Sequence, residues 1–235
     1  MHGHASRLQE GDTQPGRAVA ALEAALASFD SEQAPIRRRL IWNEEFNFGY
    51  YPVDQADAPY DAGYFAKYEG YSKTTMGVVL EAARHGLVAR HTGGPVVDIG
   101  IGCGAFIEGR PNTWGYDINP AAVEWLHASD RYWNPYIDDC RAVTMWDSLE
   151  HIPRFHDLLE HVWDWAFVSL PVFTCEADVL ASRHFRTDEH CWYFTPDALI
   201  KVMRDLGWDC REENWTESML GRESIASFAF RRVDR

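Results

Sequence analysis

The chain has 235 residues, of which 46% are hydrophobic and 25% charged, so it can bury a full core within one α/β-sized domain. Its formal net charge of -14 would repel a phosphate backbone, and we expect no nucleic-acid partner. Five cysteines without a Cys-x-x-Cys pair argue against a disulfide framework and a zinc knuckle. We expect no membrane association and a cytoplasmic location, because no apolar stretch is as long as a membrane span and no signal peptide is recognisable.

The N-terminal third of the chain divides into a polar arm and an aromatic-rich segment. Residues 1–16 carry no apolar period, and we expect a flexible arm there. Val19, Leu22 and Leu26 recur at helical spacing and predict an amphipathic helix. Ten aromatic residues follow between residues 41 and 71, which indicates a lid or pocket wall, or equally an aromatic satellite core. The predicted organisation is thus a helical, aromatic-rich extension at 17–72 and a cofactor-binding domain at 73–235.

Strand and helix patterns alternate from residue 73 onward. Helices are predicted at 76–87, 120–127, 155–163 and 196–206, and strands at 96–99, 113–117, 142–146, 166–170, 208–215 and 224–231. Between Asp117 and Ala142 there is room for one helix and only a short third strand at Tyr136-Ile137, so the third βα unit is shortened. We therefore predict an α/β fold: a doubly wound, mostly parallel, seven-stranded Rossmann-like sheet with an antiparallel C-terminal strand.

A glycine-rich loop follows the first predicted strand of this domain. In the run Val96-Val-Asp-Ile-Gly-Ile-Gly-Cys-Gly-Ala105, a buried strand ends on an acid and continues into Gly100, Gly102 and Gly104. Glycines allow a tight turn in which a ligand approaches bare backbone N–H groups. This pattern predicts a nucleotide-cofactor site. The loop alone also satisfies a relaxed dinucleotide fingerprint, so a nicotinamide cofactor is an alternative.

Three features together resemble the class I S-adenosylmethionine-dependent methyltransferases over roughly residues 60–230. The first motif of that family, Asp-x-Gly-x-Gly-x-Gly, is matched by residues 98–104. Asp117 falls where the family places the acid that accepts hydrogen bonds from the ribose hydroxyls, and a carboxylate suits two adjacent donors. Residues 143–152, with Leu-Glu-His-Ile at 149–152, look like the fourth-strand motif of its small-molecule branch. Residues 169–172 lack the motif of the DNA amino-methylating enzymes.

The resemblance implies S-adenosylmethionine as cofactor and S-adenosylhomocysteine as product. Either Asp138 or Asp139 would meet the adenine amine, and we favour Asp139. Taken singly, Asp98 could cap the loop and Asp147 the following helix, but three acids after three strand ends favour a cofactor site. The predicted cofactor-binding residues are Asp98, Gly100, Gly102, Gly104, Asp117, Ile118, Asp139, Asp147, Ser148 and Leu149.

The acceptor site is predicted from histidines and tyrosines outside the glycine loop. His151 directly follows the fourth-strand motif and titrates near neutrality, which makes it the first candidate for a general base. His190 and Tyr193, before the 196–206 helix, are candidates for contact with the acceptor, with His190 a second catalytic candidate. Tyr64 and Tyr68, one helical turn apart, would supply an aromatic wall.

No metal site is expected from spacing alone. His151, His156 and His161 are five residues apart and do not share a helix face, and the group at 184–191 matches no zinc pattern. The sequence therefore predicts in-line methyl transfer to a small-molecule acceptor. A nicotinamide-dependent oxidoreductase or epimerase, or a non-catalytic S-adenosylmethionine-binding protein, is the alternative. Neither the acceptor nor the oligomeric state is predicted.

Overall fold

The computed structural model describes residues 16–30, 39–53 and 60–233. The predicted flexible arm lies outside these residues except for Gly16. None of the helices in the described ranges is long and apolar enough to cross a membrane.

The elements are numbered in chain order. The helices are α1 (Arg17–Asp30), α2 (Ala62–Ser72), α3 (Thr75–His91), α4 (Ala105–Glu108), α5 (Pro120–Ala128), α6 (Phe155–Glu160), α7 (Glu176–Ala181), α8 (Pro196–Asp205) and α9 (Thr216–Met219). The strands are β1 (Ile41–Asn43), β2 (Phe48–Tyr50), β3 (Val96–Ile99), β4 (Thr113–Tyr116), β5 (Cys140–Trp146), β6 (Val162–Pro171), β7 (Trp192–Phe194), β8 (Trp208–Asn214) and β9 (Ile225–Arg232). A short 3-10 turn at Leu149–His151 follows β5.

The main sheet has the strand order β4-β3-β5-β6-β9-β8. Its first four strands are parallel, and β9 runs antiparallel to both β6 and β8. The predicted fold class is thereby confirmed as an α/β, mostly parallel sheet with an antiparallel C-terminal strand. The buried side chains of β5, β6 and β9 form the centre of the hydrophobic core.

The predicted count of seven strands is wrong for the described residues, in which this sheet has six. Residues 136–137 lie in a turn, because the Asn134 carbonyl accepts from Ile137 N–H and the Asn134 side chain accepts from Tyr136 N–H. Pro135, which has no N–H to donate, interrupts the pairing. What remains of the third strand is an isolated parallel bridge between Tyr132 and Gly115. The shortening is therefore greater than the sequence predicts.

Local signals place the starts of two helices correctly. The side chain of Asn119 accepts from Ala121 N–H ahead of α5, and Thr195 accepts from Ala198 N–H ahead of α8. A proline occupies the first turn of each helix, where its missing N–H costs no hydrogen bond. The predicted 155–163 helix is too long, since α6 ends at Glu160 and β6 begins at Val162.

The N-terminal extension shares its core with the main domain. A small antiparallel sheet joins β1 and β2 to β7, which lies 140 residues later in the chain and is part of the main domain. Helix α1 contacts α8: Ala18 N–H donates to Asp205 Oδ2 at 2.8 Å. Leu22 and Leu26 are buried in the same cluster as Met203. Residues 17–30 and 41–50 are thus packed onto the main domain, and none of these three short strands is predicted from the sequence.

This shared core predicts a global effect for a substitution in α1. Leu22→Ala should lower the free energy of unfolding by about 2–5 kcal/mol, because it removes a fully buried side chain. We expect one cooperative transition, shifted as a whole, in urea denaturation followed by tryptophan fluorescence. Ala24→Ser, at an exposed position of the same helix, is the control and should change this free energy by less than about 0.5 kcal/mol. An early separate transition with the main one unshifted would contradict the shared core.

Candidate active site

Three acidic residues lie at the edge of the main sheet where parallel strands end. Asp98 is in β3, Asp117 follows β4 and Asp147 follows β5, and all three line one cavity of about 530 Å³. Carboxyl ends of neighbouring parallel strands meet at the same edge, which is where open α/β sheets bind ligands. The structure therefore brings together the acids that the sequence placed after successive strands.

The glycine loop between β3 and α4 is built from left-handed backbone. Gly100, Gly102 and Gly104 have φ values of 76°, 57° and 83°, a region that side chains with a Cβ disfavour. A Cβ on Gly100 would lie 2.8 Å from the Cβ of Ser148, and a Cβ on Gly104 would lie 2.6 Å from the Trp125 ring. The loop can thus pack closely against the end of β5 only because these positions carry no side chain. Gly100 and Gly102 line the cavity; Gly104, which was also predicted to contact the cofactor, does not, although its neighbours Cys103 and Ala105 do.

Asp98 is almost fully buried beneath this loop. Its Oδ1 accepts a 2.6 Å hydrogen bond from Thr144 Oγ1 in the neighbouring strand β5. Burial raises the pKa of Asp98 to about 8, against the opposing effect of that hydrogen bond. This carboxyl group is therefore a polar anchor between two strands as well as part of the cavity wall.

Asp117 presents its carboxylate beside the glycine loop. Its Oδ1 accepts from Asn119 N–H at 2.8 Å, and the backbone N–H groups of Ile101, Ile118 and Gly102 also favour the ionised form and so act to lower its pKa. Burial nevertheless raises its pKa above the usual range for an aspartate. Ile118, the next residue, lines the cavity with a side chain that is 56% exposed. This pairing of an acceptor with an adjacent apolar surface suits a ribose and a flat heterocycle.

Asp147 lies in an ion-pair network that the sequence did not predict. Its two oxygens accept from Arg84 Nη2 at 2.8 Å and from both Nη atoms of Arg222 at 2.8 and 2.9 Å. Glu217 binds the same two arginines from α9. Although burial opposes ionisation, the two guanidinium groups hold the pKa of Asp147 below its usual range. The carboxylate is therefore engaged by protein cations, although Asp147 still lines the cavity.

Several predicted site residues lie away from the cavity. Asp139 is exposed and bonds His161 Nδ1 at 3.1 Å, because the chain turns before it and enters β5 beyond. Leu149 and Tyr193 are fully buried, and the Tyr193 hydroxyl donates to the His190 carbonyl. The residues that line the cavity do not include Asp138, Asp139, Leu149 or Tyr193. The structure thus does not place Asp139, Leu149 or Tyr193 where direct ligand contact was predicted.

Ser148 and the predicted aromatic wall do lie at the cavity. Ser148 Oγ donates to the Ile99 carbonyl at 2.6 Å, which closes the gap between the ends of β3 and β5. Tyr64 and Tyr68, on α2, are linked by a 3.2 Å contact between their hydroxyls, and the Lys67 ammonium lies 5.8 and 5.7 Å from their ring centroids. These rings and the ammonium cover the cavity from the N-terminal side.

The two candidate catalytic histidines lie in contact with each other. The rings of His151 and His190 are 4.5 Å apart between centroids and nearly perpendicular. Tyr60 Oη lies 3.0 Å from His151 Nδ1, and His190 Nδ1 lies 3.0 Å from the His184 carbonyl. Burial lowers the pKa of His151 to about 4 and that of His190 to about 2, so both imidazoles are neutral at pH 7.

Glu150 completes this group and was not singled out from the sequence. It is 1% exposed, and neither carboxylate oxygen has a hydrogen-bond partner within the described ranges. Burial and the charge of Asp147 raise its pKa well above the usual range. Other cavity residues that were not predicted include Tyr60, Arg84, Arg186 and Arg222. Arg84 lies on the apolar face of α3, at helical spacing from the other buried residues of that helix. This spacing is the only signal in the sequence that its side chain is buried.

The comparisons with known proteins agree with this geometry. Residues 75–213, more than half of the chain, match the methyltransferase-domain family. The chain is a member of that family. This confirms the predicted class, S-adenosylmethionine-dependent class I methyltransferases, and with it the cofactor. The family also decides between the two cofactor alternatives that the glycine loop left open. No curated protein matches the chain.

Two solved methyltransferase structures illustrate the similarity in fold. A putative methyltransferase from Haloferax volcanii, in complex with the Trm112 methyltransferase activator, has a TM-score of 0.56 at 15% identity, over 74% of this chain and 96% of that one. A SAM-dependent methyltransferase from Archaeoglobus fulgidus has a TM-score of 0.51 at 16% identity, over 72% of this chain and 100% of that one. At such identities the likeness shows the fold alone.

The loop geometry predicts that Gly104 tolerates no side chain. Gly104→Ala should lower the free energy of unfolding by about 1–3 kcal/mol, since it forces a Cβ into left-handed backbone and against the Trp125 ring. Gly93→Ala is the matched control, because no atom lies within 4 Å of a Cβ added there. Urea denaturation of both variants measures the difference. Equal stability of the two variants would contradict the described loop conformation.

Proposed function

We propose that this protein transfers a methyl group from S-adenosylmethionine to a small-molecule acceptor bound in the same cavity. The observation that carries this proposal is the continuity of the cavity. It is lined both by Gly100, Gly102 and Asp117 and by Tyr60 and His151. Its volume of about 530 Å³ is typical of small-molecule sites and leaves room for an acceptor of modest size.

The cofactor would be held by the residues around the glycine loop. The Asp117 carboxylate already accepts a hydrogen bond from Asn119 N–H. It has further lone pairs that can accept from the ribose hydroxyls. Ile118 offers an apolar surface for the adenine ring. Asp98 and Ser148 instead join β3 to β5 and to the residue after it, through their hydrogen bonds with Thr144 and the Ile99 carbonyl. Their proposed role is to fix the shape of the binding site.

The chain's contribution to the reaction is mainly alignment. The bound cofactor supplies a methyl carbon activated by a sulfonium. A lone pair of the acceptor atom attacks that carbon in line, the carbon–sulfur bond breaks, and its electron pair stays on the sulfur of S-adenosylhomocysteine. Holding the acceptor in this geometry can contribute on the order of 7–11 kcal/mol to lowering the barrier. An acceptor that arrives protonated must also release its proton.

The acceptor would be enclosed by aromatic rings and the two histidines. Tyr60 and Tyr64 are packed edge to face at 5.3 Å between centroids, and Tyr60 bonds to His151. Aromatic faces of this kind exclude water and favour a cationic sulfonium nearby. The neutral imidazoles of His151 and His190 line this part of the cavity and could take part in removal of a proton.

The cofactor assignment is tested at Asp117. Asp117→Asn should weaken S-adenosylmethionine binding at least tenfold in titration calorimetry, because an amide offers the ribose hydroxyls one acceptor oxygen instead of two. Asp139→Asn is the control: this acid lies outside the cavity, and its replacement should leave the dissociation constant unchanged. The assignment fails if Asp117→Asn binds as tightly as the unaltered protein.

The catalytic assignment is tested at His151. The protein is incubated with a cell extract and S-adenosylmethionine carrying a labelled methyl group, and labelled products are identified by mass spectrometry. His151→Gln should reduce the yield of the labelled product at least tenfold while the affinity for S-adenosylmethionine stays the same. His161→Gln, at the partly exposed position beside Asp139, should behave as the unaltered protein. Absence of any labelled product with intact cofactor binding would favour the non-catalytic alternative.

A further inference from the structure

Three potential metal ligands meet on the wall of the cavity. Glu150, His151 and His190 each offer one ligand atom, and these atoms lie within 4.8 Å of one another. Ligands of one tetrahedral Zn²⁺ ion, at about 2.0–2.2 Å from the metal, lie about 3.3–3.6 Å from one another. Side-chain movements of under about an ångström would therefore bring the three atoms around one ion.

The Glu150 carboxylate is the observation that points to a bound cation. Both of its oxygens are buried, and within the described ranges neither has a hydrogen-bond donor. A buried carboxylate without a partner is costly, and such groups in proteins are normally paired or coordinate a metal. The two guanidinium groups whose charges act on Glu150, those of Arg84 and Arg222, are already engaged, since both bind Asp147 and Glu217.

The two imidazoles are held as metal-ligating histidines usually are. His190 Nδ1 lies 3.0 Å from the His184 carbonyl, which can only accept, so Nδ1 carries the hydrogen and Nε2 has the free lone pair. The Tyr60 hydroxyl lies 3.0 Å from His151 Nδ1, and when it accepts from this nitrogen, His151 Nε2 is left with the free lone pair. A hydrogen bond from the second ring nitrogen orients the imidazole and is a regular feature of metal sites.

The backbone fixes the three residues relative to one another. Glu150 and His151 belong to the 3-10 turn after β5, and Cys191 N–H donates to the Glu150 carbonyl at 2.8 Å. Cys191 is adjacent to His190 and precedes β7. This single backbone hydrogen bond joins the two segments that carry the ligands, which are 40 residues apart in the chain.

We propose that Glu150, His151 and His190 together bind a divalent transition-metal ion such as Zn²⁺ on the wall of the cavity. Two imidazoles and one carboxylate suit Zn²⁺, Mn²⁺, Fe²⁺ or Co²⁺, whereas Ca²⁺ and Mg²⁺ prefer ligand sets made of oxygen. Three protein ligands leave a coordination position open toward the cavity for water or for an acceptor atom. The spacing of residues within a single segment does not predict this site, because its ligands come from two segments that are distant in the chain.

The role of the ion rests on the proposed function, whereas its binding does not. Next to the acceptor, the ion would act as a Lewis acid that eases loss of a proton from an acceptor hydroxyl, and the proton would pass to water. His151 would then be a metal ligand instead of a general base. The substitution His151→Gln removes activity in either case, so metal binding itself has to be measured.

The test uses the full chain without a polyhistidine tag, freed of metal by dialysis against a chelator. Titration calorimetry with Zn²⁺ should give one ion per chain. Glu150→Gln and His190→Gln should each weaken the affinity at least tenfold, and the control His161→Gln should leave it unchanged. Circular dichroism checks that each variant is folded. Visible absorption of Co²⁺ added to the unaltered chain reports tetrahedral or five-coordinate nitrogen and oxygen ligation without any substitution.

Two outcomes would overturn the proposal. One is the absence of stoichiometric Zn²⁺ and Co²⁺ binding at micromolar concentrations in the unaltered chain. The other is binding that neither Glu150→Gln nor His190→Gln weakens. S-adenosylmethionine affinity, measured on the same metal-free protein, separates this failure from a failure of the proposed function. Intact cofactor binding without metal binding leaves the methyltransferase proposal standing, and absent cofactor binding contradicts that proposal whatever the metals do.

Discussion

The register of the parallel strands is the constraint on which the whole site depends. Asp98 in β3 is paired with Gly115 in β4 on one side and with Thr144 in β5 on the other. This register brings the three strand ends level, so that the glycine loop, Asp117 and the turn after β5 face one cavity. The Thr144 hydrogen bond to the Asp98 carboxyl group reinforces it from within the sheet. Because side chains alternate between faces along a strand, a shift of one residue would turn Asp98 away from Thr144 and disrupt this edge.

The second half of the cavity comes from a contact between distant segments. The sheet β1-β2-β7 pairs strands of the N-terminal extension with a strand of the main domain. Directly before β7, the Cys191 carbonyl also accepts a hydrogen bond from Tyr51 N–H. Cys191 in turn donates from its own N–H to the Glu150 carbonyl. One short stretch of backbone thereby positions His190 and the aromatic extension beside the turn after β5. The extension is thus an integral part of the candidate site, and its core packing and its contribution to the cavity are two consequences of the same strand pairing.

The features that could be predicted from the sequence are those set by local backbone requirements. Glycine spacing, the acid that follows a strand and the Asn119 cap each depend on neighbouring residues, and the structure has them where the sequence placed them. The adenine-contacting acid could not be placed, because the orientation of Asp139 depends on a turn that replaces the third strand. Strands β1, β2 and β7 have three residues each, too few for a periodic signal, and exist through pairing between distant segments. Glu150 lay within a recognised motif, but its lack of a donor is a tertiary property.

The distribution of buried charge connects the fold to the chemistry of the site. Arg84, Asp147 and Arg222, together with Glu217, form a network of two guanidinium groups and two carboxylates, and Glu81 approaches Arg84 at 3.8 Å. Bidentate contacts satisfy most of its donors, which offsets the several kcal/mol that each buried ion costs. The network joins α3 and α9 to the end of β5. It also engages Arg84 and Arg222, so that neither guanidinium group is free to pair with Glu150. Glu150 lies next to this network, in which both arginines are already paired, and beside the imidazoles of His151 and His190. This placement favours an external cation over an internal ion pair as the partner of its carboxylate.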